Sequence, residues 1–226
     1  MLYELLKVDE DTYVFVNNNV NYAFGDTIMS LHTMCYSCVR RGLKGKISIA
    51  ASEKLLLAIQ ELLPFYALPL QLVPYDEKIK DKKTAVVARW TCYDLYKTPY
   101  SYFKPEYKWK PSASMCICHK IETEVKPHRV LPFDSNWFFQ MEKCGGSLFE
   151  LPKNLPLCVE KLKTCAAFVG GDSGPTHLAR SVGCPIVLLH SPQWDWEAGF
   201  PYGSCQVKPA SNPRELEVAL RHLMEA

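Results

Sequence analysis

Between Ala166 and His190 the chain runs through an apolar stretch, a glycine pair, a helical pattern and a second apolar stretch, and this order limits the fold more than anything else in the sequence. Ala166 to Val169 predicts a strand, Gly170-Gly171 a turn, Ser173 to Val182 a helix, and Pro185 to His190 another strand. Strands that alternate with helices align in a parallel sheet covered by those helices, and such sheets take ligands at the carboxyl ends of their strands. The same alternation occurs elsewhere. Thr12 to Val16, Lys46 to Ala50, Leu68 to Val73 and Thr84 to Ala88 read as strands, with helices from near Asp26 to Gly42 and from Ser52 to Leu63. Further on, Met115 to His119, Ser147 to Glu150 and Cys205 to Lys208 read as strands, and Asp134 to Cys144, Pro156 to Thr164 and Pro213 to Met224 as helices. The expected fold is α/β: two small Rossmann-like lobes, residues 1–110 and 111–226, each with a parallel sheet.

Charge and cysteine usage narrow the function classes. A formal net charge of +2 does not give the concentrated basic footprint of a nucleic-acid binder. The first residues, Met1 to Lys7, lack the apolar core of a signal peptide, and no apolar run approaches a membrane span, so the cytoplasm is the expected compartment. Several of the ten cysteines fall in apolar periodic segments and are expected to be reduced core residues. Cys35 and Cys38 have a CxxC spacing but lie on an expected helix with no second ligand pair, so no metal site is assigned.

The chemistry concentrates in Gly171-Asp172-Ser173-Gly174-Pro175-Thr176-His177. Gly170 and Gly171 allow backbone angles closed to other residues, and the helix that follows presents free amides and a positive dipole end to an anion. Gly174 lets a phosphate approach the backbone, Pro175 stiffens the first turn, and Ser173, Thr176 and His177 can donate to phosphate oxygens. Asp172 would repel a diphosphate, so its expected role is to cap amides or orient a neighbour. A capped helix after a glycine turn is also routine in α/β proteins, and the short G-G-x-S-G string alone does not separate the two readings.

The longer run does. Gly171 to Ala179, followed by Gly183-Cys184-Pro185-Ile186-Val187-Leu188-Leu189, resembles the signature of the heptosyltransferase-like glycosyltransferases, glycosyltransferase family 9. Phe24-Gly25-Asp26-Thr27-Ile28-Met29-Ser30-Leu31 resembles the family's amino-terminal segment, and Ser191 to Trp196 occupies the loop after the signature strand. The resemblance implies a GT-B fold, an acceptor-binding amino-terminal lobe, a donor-binding carboxyl-terminal lobe, and metal-independent inverting transfer. The partners it implies are a nucleotide-sugar, as co-substrate rather than cofactor, and a glycan or other hydroxyl-bearing acceptor. The family's base maps onto Asp26, with Gly25 and Thr27 beside it; a plain helix cap is the other reading of Asp26. A basic residue after the first strand of the second lobe contacts the diphosphate in the family, which makes Lys126 and Arg129 candidates, although a solvated loop is the commoner place for either.

Trp90, Trp194 and Trp196 are candidates for the acceptor side or the cleft wall. Trp90 opens a segment rich in Tyr, Trp and Lys that runs to Trp109 and suits either a stacking platform for sugars or bases, or burial between lobes. The chain is short for the family, an Asn-rich loop follows Val16, and the stretch from Pro74 to Leu151 shows little family pattern. Those departures fit a binding protein that does not turn its ligand over. An epimerase of related fold is a third reading.

Overall fold

Both faces of the first sheet are apolar, and this explains why its strands do not show a clean alternation. The computed structural model describes residues 2–17, 24–91, 102–112, 116–118, 148–150, 154–193, 195 and 206–224. The chain divides into two units, Met1–Lys104 and Pro105–Ala226.

In the first unit β1 (Leu2–Lys7) and β2 (Thr12–Asn17) form an antiparallel hairpin, with Leu5 opposite Phe15 and Leu6 opposite Val14. Its turn is closed by Val8 N–H donating to Thr12 O at 2.9 Å and Asp11 N–H to the Asp9 carboxylate at 3.0 Å. A side-chain hydrogen bond with Thr12 and the Asp11 amide hold the Asp9 carboxyl below its ordinary value. β3 (Lys46–Ala51) and β4 (Leu70–Pro74) add parallel to β2, and β5 (Ala85–Thr91) adds antiparallel to β1, giving the order β4-β3-β2-β1-β5. The expectation of a parallel sheet therefore applies here to β2, β3 and β4, while the hairpin reverses β1. Leu6, Val14, Val16 and Ala50 build the core on one face. On the other, Phe15 stacks on Trp90 at 5.5 Å and on Tyr3 at 6.1 Å.

Helix α1 (Phe24–Arg40) is buried continuously from Thr27 to Cys35 and again at Cys38. A helix buried so widely must satisfy its polar side chains internally. Ser30 Oγ donates to Thr27 O at 2.9 Å, and Thr33 Oγ1 donates to Met29 O at 3.0 Å. Burial pushes the Cys35 thiol well above its ordinary value and the Cys38 thiol up to about 11, so the CxxC pair is chemically quiet near neutral pH. Helix α2 (Glu53–Leu62) follows β3.

The aromatic segment is parcelled out within the units. Tyr66 and Phe103 form an antiparallel bridge, Ala67 N–H donates to Tyr102 O at 2.9 Å, and Tyr66, Tyr102 and Phe103 surround the buried His32 ring at 5.2–5.9 Å. Burial pushes the Tyr102 phenol up to about 12. Trp109 belongs to the second unit, where its amide donates to Val182 O and its indole Nε1–H to Cys165 O, both at 2.8 Å.

The second unit holds β6 (Cys116–Cys118), β7 (Leu148–Glu150), α3 (Leu155–Thr164), β8 (Ala167–Gly170), α4 (Gly174–Val182), β9 (Ile186–Leu189), β10 (Val207–Ala210) and α5 (Pro213–Met224). All its described strand pairs are parallel, in the order β10-β9-β8-β6-β7. Ala167 and Val169 of β8 face Leu216, Ala219, Leu220 and Leu223 of α5 within one apolar cluster. The expected helix from Asp134 to Cys144 lies outside the described residues.

Helix α5 is capped from both sides of its start. Asn212 Oδ1 accepts from Glu215 N–H at 3.0 Å, and the Glu215 carboxylate accepts from Ser211 N–H at 2.7 Å and Ser211 Oγ–H at 2.8 Å. The Ser211 backbone bond holds the Glu215 carboxyl below its ordinary 4.5. A carboxyl depressed on folding stabilises the native state above the unfolded carboxyl's pKa, and that contribution disappears as pH falls through the folded value. Glu215→Gln should lower the urea midpoint at pH 7, and the gap from wild type should close below about pH 4 in parallel denaturation curves. Gly45 has φ +135°, and a Cβ there would sit 2.2 Å from Asp11 O. Gly45→Ala should therefore cost roughly 2 kcal/mol or more in chemical denaturation.

Candidate functional site

Numbered along the chain, the second sheet has its first strand, β6, beside its third, β8, with the second outside the first and the fourth and fifth beyond the third. Connections leave β6 and β8 toward opposite sides of such a sheet, which opens a crevice at their carboxyl ends. Cys118 ends β6 opposite Val169, and Gly170 ends β8 one residue later. The Gly171–His177 turn thus starts at the topological switch point.

Gly170 is required by space rather than by backbone angle. A Cβ on it would lie 2.8 Å from the Phe168 ring and 3.3 Å from Thr176 Oγ1. Among the described residues the glycines with positive φ are Gly42, Gly45 and Gly183, so the angular freedom expected at Gly170 and Gly171 is not used. Gly183 uses it, ending α4 in the left-handed conformation while its amide donates to Ala179 O and Arg180 O.

The turn is held by its own side chains. Thr176, fully buried, donates its hydroxyl proton to Gly171 O, and Ser173 Oγ lies 3.1 Å from Thr176 Oγ1. Since Thr176 has one proton and directs it to Gly171, Ser173 is the donor in the second bond. Ser173 occupies the N-cap position with extended backbone, yet its side chain accepts no capping bond from α4, and Pro175 fills the first turn. The first-turn amides are consequently not taken by the Ser173 hydroxyl, and a positive helix end faces the crevice with Ser173, Gly174 and Pro175 half-buried around it.

Asp172 and His177 lie beneath this surface, 5% and 2% exposed, with Oδ1 and Nε2 3.4 Å apart. The Asp172 carboxylate lies against the His177 ring. His177 is directed to that carboxylate, its amide donates to Ser173 O at 3.1 Å, and its carbonyl accepts from Ser181 Oγ at 2.8 Å. A carboxylate beside an imidazole in a buried setting fixes the ring's orientation. One residue escaped the sequence reading. Arg180, on the same helix, is fully buried and the largest such side chain in the chain's described part. An arginine in the last turn of a helix reads as a solvated charge complementing the dipole, and only burial reveals it as an internal cation beside the signature.

In the first unit Asp26 is the third residue of α1, partly buried within the first turn rather than at the cap, with Gly25 before it and the buried Thr27 after it. The helix dipole favours a carboxylate in that turn. Trp90 is 5% exposed and stacked within the core of its own unit. Lys126, Arg129, Trp194 and Trp196 lie outside the described residues. Among the described residues no three potential metal ligands gather, and no helix is long and apolar enough to cross a membrane.

Thr176→Val retains a β-branched side chain and removes the hydroxyl that joins Gly171 to Ser173. It should cost about 1–2 kcal/mol of stability by equilibrium unfolding. Wild-type stability for this variant would show that the hydroxyl does not hold the turn.

Residues 151–210 match the model of Glycosyltransferase family 9 (heptosyltransferase). No curated protein sequence matches the chain. Among solved structures the chain is similar to the dodecameric iron-containing heptosyltransferase TibC in complex with ADP-D-beta-D-heptose, at 11% identity and TM-score 0.53, covering 92% of this chain. The chain spans 64% of that protein's length. TibC from enterotoxigenic E. coli H10407 aligns at 12% identity and TM-score 0.47 over 97% of this chain and 75% of that one. A family 9 glycosyl transferase from Veillonella parvula DSM 2008 aligns at 14% identity and TM-score 0.48, covering 96% and 91%. The chain thus has the α/β fold of the GT-B kind, and its residues 151–210 match the glycosyltransferase family 9 model.

Proposed function

We propose that the chain transfers a sugar from a nucleotide-sugar to a hydroxyl-bearing acceptor, with inversion at the anomeric carbon and without a metal. The observation that carries this reading is the α4 helix start at the switch point, where the N-cap Ser173 side chain makes no capping bond and the buried Asp172–His177 pair lies close by. An anion there gains hydrogen bonds and dipole stabilisation, and a departing nucleoside diphosphate develops charge at just such a position. Gly171, Gly174, Pro175, Ser173 and Thr176 shape and surface the phosphate cradle, while Asp172 and His177 hold it from below. Lys126 and Arg129 supply further positive charge to the diphosphate, and Trp194 and Trp196 border the donor.

Asp26 is the base in this scheme. Its carboxylate takes the acceptor hydroxyl proton as the oxygen bonds to the anomeric carbon, and the bond from that carbon to the diphosphate oxygen breaks with its electron pair leaving on the diphosphate. Gly25 leaves room for the acceptor beside the carboxylate. Thr27 and Trp90, both buried, support their own unit's fold in this scheme and take no part in substrate contact. The cytoplasm, where nucleotide-sugars are made, is the compartment that suits the reaction. A second reading is ligand binding without transfer, in which the same helix end holds an anion and no acceptor is engaged.

Incubation with a panel of nucleotide-sugars and glycan acceptors should release nucleoside diphosphate in an acceptor-dependent way. Asp26→Asn should lower kcat by about 10²-fold or more while leaving the donor Kd unchanged in calorimetry. Equal rates for the two proteins would remove Asp26 as the base. Donor binding with no release across the panel would establish the binding-only reading.

A further inference from the structure

Two thiols bracket the signature. Cys165 ends α3 as its C-cap residue, two residues before β8, and Cys184 follows the α4 cap glycine, two residues before β9. Because β8 and β9 are parallel neighbours with Phe168 opposite Ile186, the two cysteines enter the sheet side by side, one residue out of step. Their Sγ atoms are 3.4 Å apart, and both residues are almost completely buried at 1% and 0% exposure. Each sulfur also touches a local carbonyl, Cys165 that of Leu162 at 3.5 Å and Cys184 that of Pro185 at 3.3 Å, so neither side chain swings freely. Neither is in a disulfide in this structure.

We propose that Cys165 and Cys184 are a paired oxidation site that closes to an intra-unit disulfide when the protein meets a small neutral oxidant of the peroxide class. Sulfur atoms in van der Waals contact need to approach by little more than an ångström to reach a bond of about 2.05 Å. The first sulfur, as thiolate, attacks one peroxide oxygen. The O–O bond breaks, and the products are a sulfenic acid and, after protonation, water. The second sulfur then attacks the sulfenic sulfur and displaces its hydroxyl as water. Two thiols and one hydrogen peroxide give one disulfide and two waters: the sulfurs are oxidised and the peroxide oxygens reduced. Peroxide is uncharged and small enough to reach a buried pair during local opening, whereas a bulky disulfide oxidant is not. The closed link joins the end of α3 to the start of β9 and encloses β8, the signature turn and α4 in one covalent loop. This site is independent of the transfer reaction, since it requires only the two sulfurs and the strands that seat them.

The test is peptide mapping of the full-length native protein after hydrogen peroxide treatment and alkylation of the remaining thiols. Trypsin leaves Cys165 on the peptide that ends at Arg180, and Cys184 on the next peptide together with Cys205, so fragment spectra must place the bond. The expected result is a linked pair at Cys165 and Cys184, two hydrogens lighter than the separate peptides, that dithiothreitol reverses. Native protein in which Cys165 and Cys184 stay fully alkylatable while other thiols oxidise would overturn the proposal. So would a bond from either cysteine to any third one, or a link that forms only in urea. Cys184→Ser, with circular dichroism confirming its fold, should give no disulfide-linked Cys165 peptide after the same treatment; should that variant fail to fold, the wild-type map decides the question by itself.

Discussion

The placement of β8 between β6 and β9, buried along its whole length, is the constraint on which the second unit depends. A strand with neighbours on both edges and helices on both faces cannot shift register without turning apolar side chains toward polar surroundings. Its end therefore fixes where α4 begins. Phe168 adds a second restraint, because its ring lies against Gly170 where any larger residue would collide. The Thr176 hydroxyl then draws the first turn of α4 back onto Gly171 O. Each restraint is local, but together they aim one helix end at the crevice between β6 and β8.

Beneath that helix end the polar groups form an ordered layer. Asp172 and His177 are both almost completely buried, and two such groups are tolerated inside a protein when they meet each other. Arg180 brings a third ionisable group into the same buried helix. A helix of nine residues that buries an imidazole and a guanidinium is an unusual core element.

The parts of this structure legible in the sequence are those written in punctuation. Gly170, Gly171, Ser173, Pro175 and Gly183 mark where strand, turn and helix change over, and β8, α4 and β9 fall within a residue or two of expectation. Strand β1 was not legible, because Leu5 and Leu6 are both buried on opposite faces of a sheet covered on both sides, and the alternation that signals a strand is erased. Strand direction was not legible either, because periodicity is identical in parallel and antiparallel pairs. At the site, residue types suggested phosphate binding but not which side chains face outward. Ser173 resembles a cap by type and instead donates to Thr176, and His177 resembles a phosphate donor and is instead directed to Asp172. Both outcomes depend on side-chain rotamers that pattern does not encode. Trp90 likewise gives the same signal in a core as in a binding surface.

The rigidity of the turn before α4 has a thermodynamic consequence. The turn is held by Thr176 and by the Asp172–His177 pair, and it follows a strand buried along its whole length. The conformational entropy of ordering it is therefore lost during folding, and any ligand bound there would meet a turn already in position. A site of this kind gains its affinity from pre-organisation. Its association should show little of the heat-capacity change that accompanies a segment folding around its partner.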